Sequence, residues 1–279
     1  MRPAWLNKKI NLRDCADVKI LLKGLRLNTV CEEAFCPNIG ECFAKRQATF
    51  MILGAVCTRG CRFCGVGKGL PLPPDINESK RIVQAVEALG LTHVVITSVT
   101  RDDLPDGGSA IFVETIRNLR GIDRDIMIEV LIPDFNADEK SLQGIVDARP
   151  DIIAHNMETV ARLYEEVRPG GASYARSLEV LRILKRSAPD IPLKSGLMLG
   201  LGEMRHEVCA VFDDLIAVGC SFLSIGQYLA PSNNHIPVRQ YLEPEIFEEY
   251  KEEALRRGFL YVKSAPYVRS SYAAADYHK

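Results

Sequence analysis

Six of the nine cysteines fall between positions 31 and 64, in two groups of three. The second group, Cys57-Thr-Arg-Gly-Cys61-Arg-Phe-Cys64, has C-x3-C-x2-C spacing. Thiolates this close in one loop can converge on a single soft centre, and they select zinc or iron–sulfur clusters. A cubane cluster has four irons, so three cysteines leave one iron open to a small molecule. A structural zinc closes its shell with a fourth ligand, and no local histidine stands ready to supply it. The alternative is a zinc loop completed from a distance. The first group, Cys31-Glu-Glu-Ala-Phe-Cys36-Pro-Asn-Ile-Gly-Glu-Cys42, has C-x4-C-x5-C spacing and implies a second site with a missing or non-cysteine ligand. Its spacing alone also fits a zinc knuckle or buried thiols. Cys15, Cys209 and Cys220 have no partners at ligand spacing and read as small buried hydrophobes.

Such loops need a scaffold, and 279 residues can build one large core, or a core with a small appendage. Hydrophobic residues make up 47% and charged residues 25%, the mix of a soluble globular protein. With 35 basic and 36 acidic residues the formal charge is −1, which argues against a nucleic-acid partner. No apolar run approaches the roughly 20 residues of a membrane span, and MRPAWLNKKINLRDC lacks the apolar centre of a signal peptide. No membrane association is expected, and the expected compartment is cytoplasmic. There cysteines stay reduced, so an odd, clustered set points to metal binding.

The chain beyond residue 49 alternates strand-like and helix-like segments. FMILGAV at 50–56 reads as a buried strand, followed by a helix over 78–89 closed by Gly90. Strands follow at 93–97, 126–132, 151–155, 193–199 and 221–227, with helices over 109–119, 138–148, 174–185, 205–218 and 244–257. Six strand–helix units predict an α/β protein with a parallel sheet, either an open partial barrel or a doubly wound sheet. The polar loops TRGCRFCG, SVTRDDLPDGG and YLAPSNNH all follow strands, where both architectures place their chemistry.

The C-x3-C-x2-C motif in the loop after the first strand resembles the radical S-adenosylmethionine superfamily. There the open iron chelates the amino and carboxylate groups of S-adenosylmethionine. An electron from the cluster then releases methionine and a 5′-deoxyadenosyl radical, which a barrel lumen shields. Phe63 occupies an aromatic position of that motif, or simply packs against the cluster. VCEEAFCPNIGEC, ATFMILG and CTRGCRFCGV together resemble the lipoyl synthase family. TSVTRDDLPDGG (97–108), IEVLIPDF (128–135), HNMETV (155–160), SGLMLGLGE (195–203), IGQYLAPS (225–232) and VRSSY (268–272) follow in that family's order, so the resemblance runs from about Trp5 to Tyr272. Ala273, the paired Gly170 and Gly171, and Ala230 depart from the pattern without touching a cluster ligand.

The resemblance implies a partial (βα)6 TIM-like barrel at residues 50–258, an N-terminal extension at 1–49 and a C-terminal tail at 259–279. It implies two 4Fe-4S clusters. Cys57, Cys61 and Cys64 would hold the radical-generating one. Cys31, Cys36 and Cys42 would hold an auxiliary one, closed by a serine of RSSY, either Ser270 or Ser271, with Ser271 favoured. Oxygen is a harder, poorer ligand for iron than thiolate and leaves more readily. The implied reaction inserts two sulfur atoms at C6 and C8 of an N6-octanoyl-lysine on a carrier protein, with the auxiliary cluster as sulfur donor and two S-adenosylmethionine molecules per lipoyl group. The implied partners are octanoylated lipoyl domains of 2-oxoacid dehydrogenase E2 subunits and the glycine cleavage H protein. A flavodoxin or ferredoxin-type reductant and an iron–sulfur cluster carrier complete the set.

Weaker expectations attach to other residues. Asp102, Asp103 and Asp106 bind polar groups of S-adenosylmethionine, or are merely solvated. His155 and Asn156 end a strand and either contact ligand or are satisfied internally. Of Glu129 and Lys194, strand parity does not decide which faces the lumen. Arg269 meets the carrier or neutralises cluster charge. Gly65-Val-Gly67-Lys-Gly69 lacks Walker spacing and reads as a turn leaving the cysteine loop. Rival readings are a radical enzyme acting on a free small molecule, and a non-catalytic iron–sulfur carrier or zinc scaffold.

Overall fold

The computed structural model describes residues 3–6, 15–122 and 125–278. The expected N-terminal extension at 1–49 therefore lies partly outside the described residues, at 1–2 and 7–14. The chain forms, in order, α1 (Ala16–Gly24), β1 (Asn28–Thr29), α2 (Val30–Glu33), α3 (Ile39–Ala44), β2 (Thr49–Ile52), β3 (Val56–Cys57), β4 (Gly67–Lys68), α4 (Glu78–Leu89) and β5 (His93–Ser98). Then come α5 (Ser109–Arg120), β6 (Met127–Leu131), α6 (Glu139–Asp147), β7 (Ile152–Ala154), α7 (Tyr164–Val167) and α8 (Tyr174–Ser187). The last elements are β8 (Leu193–Leu199), α9 (Arg205–Ala217), β9 (Phe222–Gln227), α10 (Pro244–Arg257), β10 (Tyr261–Ser264) and a 3-10 turn at Ala274–His278.

The strands carry near-continuous aliphatic runs because both faces are covered, helices outside and lumen contents inside. They form one sheet in the order β1-β2-β5-β6-β7-β8-β9-β10. Every neighbouring pair from β2 to β10 is parallel, whereas β1 runs antiparallel to β2 at one edge. Among the described residues β10 does not pair with β1, so the barrel is open. The helices stop where their sequences predict. Gly90 takes the left-handed conformation (φ 68°) after α4, Pro244 opens α10, and Gly258 (φ 111°) ends it.

Two differences bear on the site. The segment expected as one strand over 50–56 breaks after Ile52, where Leu53 (φ 69°) and Gly54 (φ 88°) turn the chain out of the sheet. The cysteine loop thereby leaves the barrel rim, held by a parallel pairing of β3 with β4. The turn is kept in place by Gly108, where an added Cβ would meet Leu53 Cδ1 at 2.3 Å. Second, the segment expected as a tail begins with β10, which pairs with β9 from Tyr261↔Phe222 to Ser264↔Ile225. Among the described residues no helix is long and apolar enough to cross a membrane.

Candidate active site

Alternate residues of the strands point inward. Thr49 and Met51 of β2, Val95 and Thr97 of β5, Gly196 and Met198 of β8, and Ser224 and Gly226 of β9 line a cavity of about 490 Å³. Cys31, Cys36, Cys42, Cys57, Cys61 and Cys64 all line the same cavity, as do Phe63, Asn156, Ser270 and Ser271. Residues more than two hundred positions apart thus share one wall.

The first cysteine group sits on two short helices and the turn between them. Cys31 lies in α2 and Cys42 in α3, and the Cys36 amide closes the turn on the Cys31 carbonyl at 3.0 Å. Asn38 donates to the Tyr267 carbonyl at 2.7 Å, and Tyr272 donates to Glu41 at 2.9 Å, so the C-terminal segment is stitched to this turn. Thr49 faces both parts. Its hydroxyl donates to Ser271 Oγ at 2.7 Å, and its backbone N–H bonds the Cys31 sulfur. Ser270 Oγ accepts from Asn156 Nδ2 at 2.6 Å. Glycines give the tail its path: an added Cβ at Gly226 would lie 2.1 Å from the Val268 carbonyl oxygen, and one at Gly196 would lie 2.9 Å from Ser270 Oγ.

In the second group, Cys57 Sγ accepts from the backbone N–H of Arg59 at 3.4 Å and of Thr100 at 3.3 Å. Arg59 clamps the loop. Its buried guanidinium donates to Asp134 at 2.6 Å and to Asp102 at 2.8 Å, tying the motif to the loops after β5 and β6. Arg168 bonds the Cys61 sulfur from the far side, with its guanidinium 5.1 Å from the Tyr164 ring centroid. Burial pushes the Cys31 thiol up to about 12 and the Cys64 thiol up to about 11. Burial also raises Cys61, against the pull of Arg168. With no metal bound these thiols keep their protons at neutral pH, so loading a thiolate centre must release them.

The donor set fits iron–sulfur clusters: six thiols, in two triads, line one cavity, and thiolates select such clusters or zinc. Asn156 Oδ1 is buried on the cavity wall with no hydrogen-bond partner among the described residues, an acceptor open to a ligand.

Other expected residues have structural partners. Asp102, Asp103 and Asp106 do not line the cavity. The Arg59 hydrogen bond holds the Asp102 carboxyl below its usual range, Asp103 pairs with Arg101 at 2.7 Å, and Asp106 accepts from the Ala110 amide at 2.8 Å at the start of α5. His155 is satisfied internally, by the Ile132 carbonyl at 3.0 Å and Ser177 Oγ at 2.9 Å, and burial pushes its pKa down to about 4. Glu129 and Lys194 both face inward and pair with each other at 2.8 Å. Arg269 is turned onto the Val268 carbonyl at 2.6 Å. Residues 65–69, expected as a turn leaving the cysteine loop, include β4 at Gly67–Lys68, which pairs with β3. Cys15 and Cys220 are buried and Cys209 is half-buried.

Four wall residues lie outside the expected site set, three of them within the family-like segments: Thr49, Glu158, Arg168 and Gly196. Glu158 is half-buried with a left-handed backbone (φ 68°), and desolvation raises its carboxyl pKa against the pull of Arg168. Its place in HNMETV, after a strand, is the signal the sequence offered.

The model for the radical SAM superfamily matches residues 51–215. Lipoyl synthase of Geobacter sp. (strain M21) is 56% identical over 276 residues, covering 99% of this chain and 94% of the relative. Lipoyl synthase of Alkaliphilus metalliredigens (strain QYMF) is 54% identical over 276 residues, covering 99% and 95%. Among solved structures, methylornithine synthase (PylB) superposes with a TM-score of 0.56 at 16% identity, over 91% of this chain and 82% of that one. The maturase HydG from Carboxydothermus hydrogenoformans gives a TM-score of 0.60 at 18% identity, over 90% and 57%. These structures share the fold.

Proposed function

Because the chain belongs to the lipoyl synthase family of the radical SAM superfamily, we propose that this cavity makes the lipoyl group by adding sulfur at C6 and C8 of an octanoyl chain carried on a protein lysine. Members of the family are radical SAM sulfurtransferases of lipoyl cofactor biosynthesis that use S-adenosylmethionine and 4Fe-4S clusters and act on lipoyl carrier proteins. One observation carries the finer reading: both thiol triads and the serine pair line the same cavity. A short-lived primary radical must meet its target and the sulfur source without crossing solvent.

In this reading Cys57, Cys61 and Cys64 hold the cluster that binds S-adenosylmethionine. Cys31, Cys36, Cys42 and Ser271 hold the second cluster. When bound, these groups supply the carbon radical and the sulfur. The protein's own residues orient and enclose. Arg59 fixes the motif loop, with Asp102 and Asp134 as its partners. Thr49 aligns Cys31 with Ser271, and Phe63 and Asn156 contact the cofactor. Aliphatic lining such as Val95, Leu131, Leu197 and Met198 keeps water from the octanoyl chain. Carriers would be E2 lipoyl domains and the glycine cleavage H protein, with a flavodoxin or ferredoxin as reductant, a cluster carrier for repair, and the cytoplasm as compartment.

The test is anaerobic. The protein is reconstituted with iron and sulfide and given S-adenosylmethionine, dithionite and an octanoyl-lysine peptide. The expected product gains two sulfurs as the dithiol, which has lost two hydrogens once air has oxidised it to the cyclic disulfide, with 5′-deoxyadenosine formed. Alanine at Cys57, Cys61 and Cys64 abolishes 5′-deoxyadenosine formation. Alanine at Cys31, Cys36 and Cys42 spares it and stops sulfur insertion. Lipoyl product from the second triple variant would sink the sulfur-donor assignment.

A further inference from the structure

The C-terminal segment does not stop at the serines. Beyond Ser271 it turns at Ala273 (φ 47°) and enters the 3-10 turn Ala274–His278. Lys263 of β10 holds this turn, donating to the Ala273 carbonyl at 3.2 Å and to Asp276 at 2.7 Å. Tyr277 then lies against Ile152, Phe222 and Tyr261, the first residues of β7, β9 and β10. Its ring centroid is 5.5 Å from Phe222 and 4.8 Å from Tyr261. The tail thus runs down the lumen, from Val268 beside Gly226 near the carboxyl end of β9, past Thr49 at the start of β2, to the amino ends of β7, β9 and β10.

At that lower end is a buried charge pair that the reaction does not use. Lys194 and Glu129 are 0% and 1% exposed and lie 2.8 Å apart, with His93 Nε2 at 3.6 Å from the other Glu129 oxygen. The Lys194 ammonium also sits 3.8 Å from the centroid of the Tyr277 ring, and the Tyr277 hydroxyl bonds Ser224 Oγ at 2.8 Å. A desolvated ammonium with one carboxylate partner gains from an aromatic face, and the gain is larger away from water. Pulling Tyr277 out uncovers a buried cation, opens the apolar cluster and breaks the hydroxyl bond together.

We propose that Tyr277 is a positioning residue: by capping the Lys194–Glu129 pair and bonding Ser224, it anchors the tail and so holds Ser271 against the first cysteine group. The proposal rests on the reading that Ser271 closes the second cluster site. Between Ser271 and the anchor lie only five residues, Tyr272 to Asp276, three of them already bonded to Glu41 or Lys263. A displaced Tyr277 therefore gives the serine freedom, and groups that orient a metal ligand typically carry about 10- to 100-fold in metal affinity.

Wild type, Tyr277→Ala, Tyr277→Phe and Ser271→Ala would be reconstituted in parallel and read by iron content, Mössbauer spectrum and 5′-deoxyadenosine formation. For Tyr277→Ala the expectation is a fall from about eight irons per chain toward about four, with 5′-deoxyadenosine formation within about twofold of wild type. A merely structural role would lower both clusters together. Tyr277→Phe, which keeps the ring over Lys194, restores most of the second cluster. If alanine prevents folding, Tyr277→Leu fills the apolar cluster without ring face or hydroxyl, and the same outcomes apply. Full second-cluster iron in the alanine or leucine variant, beside a Ser271→Ala variant that has lost it, overturns the anchor alone. Full iron in Ser271→Ala overturns the serine reading and the anchor with it.

Discussion

Thr49 touches both halves of the second site with two different atoms, its hydroxyl toward Ser271 and its amide toward Cys31. Replacing it by valine keeps the volume and the amide but removes the hydroxyl. The expected result is a loss of roughly 1 kcal/mol of stability, the usual worth of one hydrogen bond, with a clearly larger fractional loss of second-cluster iron. Denaturant unfolding of the apo protein, compared with iron counts after reconstitution, separates the two effects. Unchanged iron would mean that Thr49 only fills space. Nothing in a lone threonine at the start of a strand announces such a role. The cysteines, by contrast, declare themselves because ligand spacing within one loop is a local property.

At the scale of elements, the tail needs a track, and glycines on β8 and β9 provide it. An added Cβ at Gly226 would meet a backbone oxygen, Val268 O at 2.1 Å, which cannot swing aside as a side-chain tip can. Gly226→Ala is expected to push the tail off β9, lower second-cluster iron by about half, and spare cleavage of S-adenosylmethionine; iron analysis and 5′-deoxyadenosine assays check both. The elements themselves were largely legible. The helix at 78–89, the strand at 193–199 and the helix at 244–257 match their predicted bounds. Each is bracketed by glycine, proline or polar residues that act locally. The strand over 50–56 was read too long because Leu53 takes a left-handed backbone that its side chain does not signal. β10 escaped notice because its four residues, only Val262 of them buried, carry too short a pattern.

For the whole molecule, burial sets a pH dependence. His155 has its pKa pushed down to about 4 by desolvation, from an ordinary value near 6.5. Below about pH 6.5 the unfolded chain takes up a proton there that the folded chain refuses, so stability is full above that pH and falls as pH drops toward 4. The contribution is on the order of 3 kcal/mol across that window. Asp102, lowered by Arg59, adds its own loss at still lower pH. Thermal unfolding of the apo protein between pH 7 and pH 4.5 should show the decline, and His155→Asn should flatten it. An equal decline in the variant would assign the effect to other groups.

The sequence by itself determined the chemistry and the kind of scaffold. Two cysteine triplets and six strand–helix alternations are written in neighbouring residues, and the family resemblance runs through the same segments. What only the tertiary structure decided is which distant residues meet. It put both triplets and the RSSY serines on one cavity, turned Asp102 to Arg59 instead of the cavity, paired Glu129 with Lys194 inside the barrel, and capped that pair with Tyr277. Such contacts depend on sheet order, strand register and the room left by Gly196 and Gly226. These are fixed by packing across the whole chain, and no local spacing encodes them.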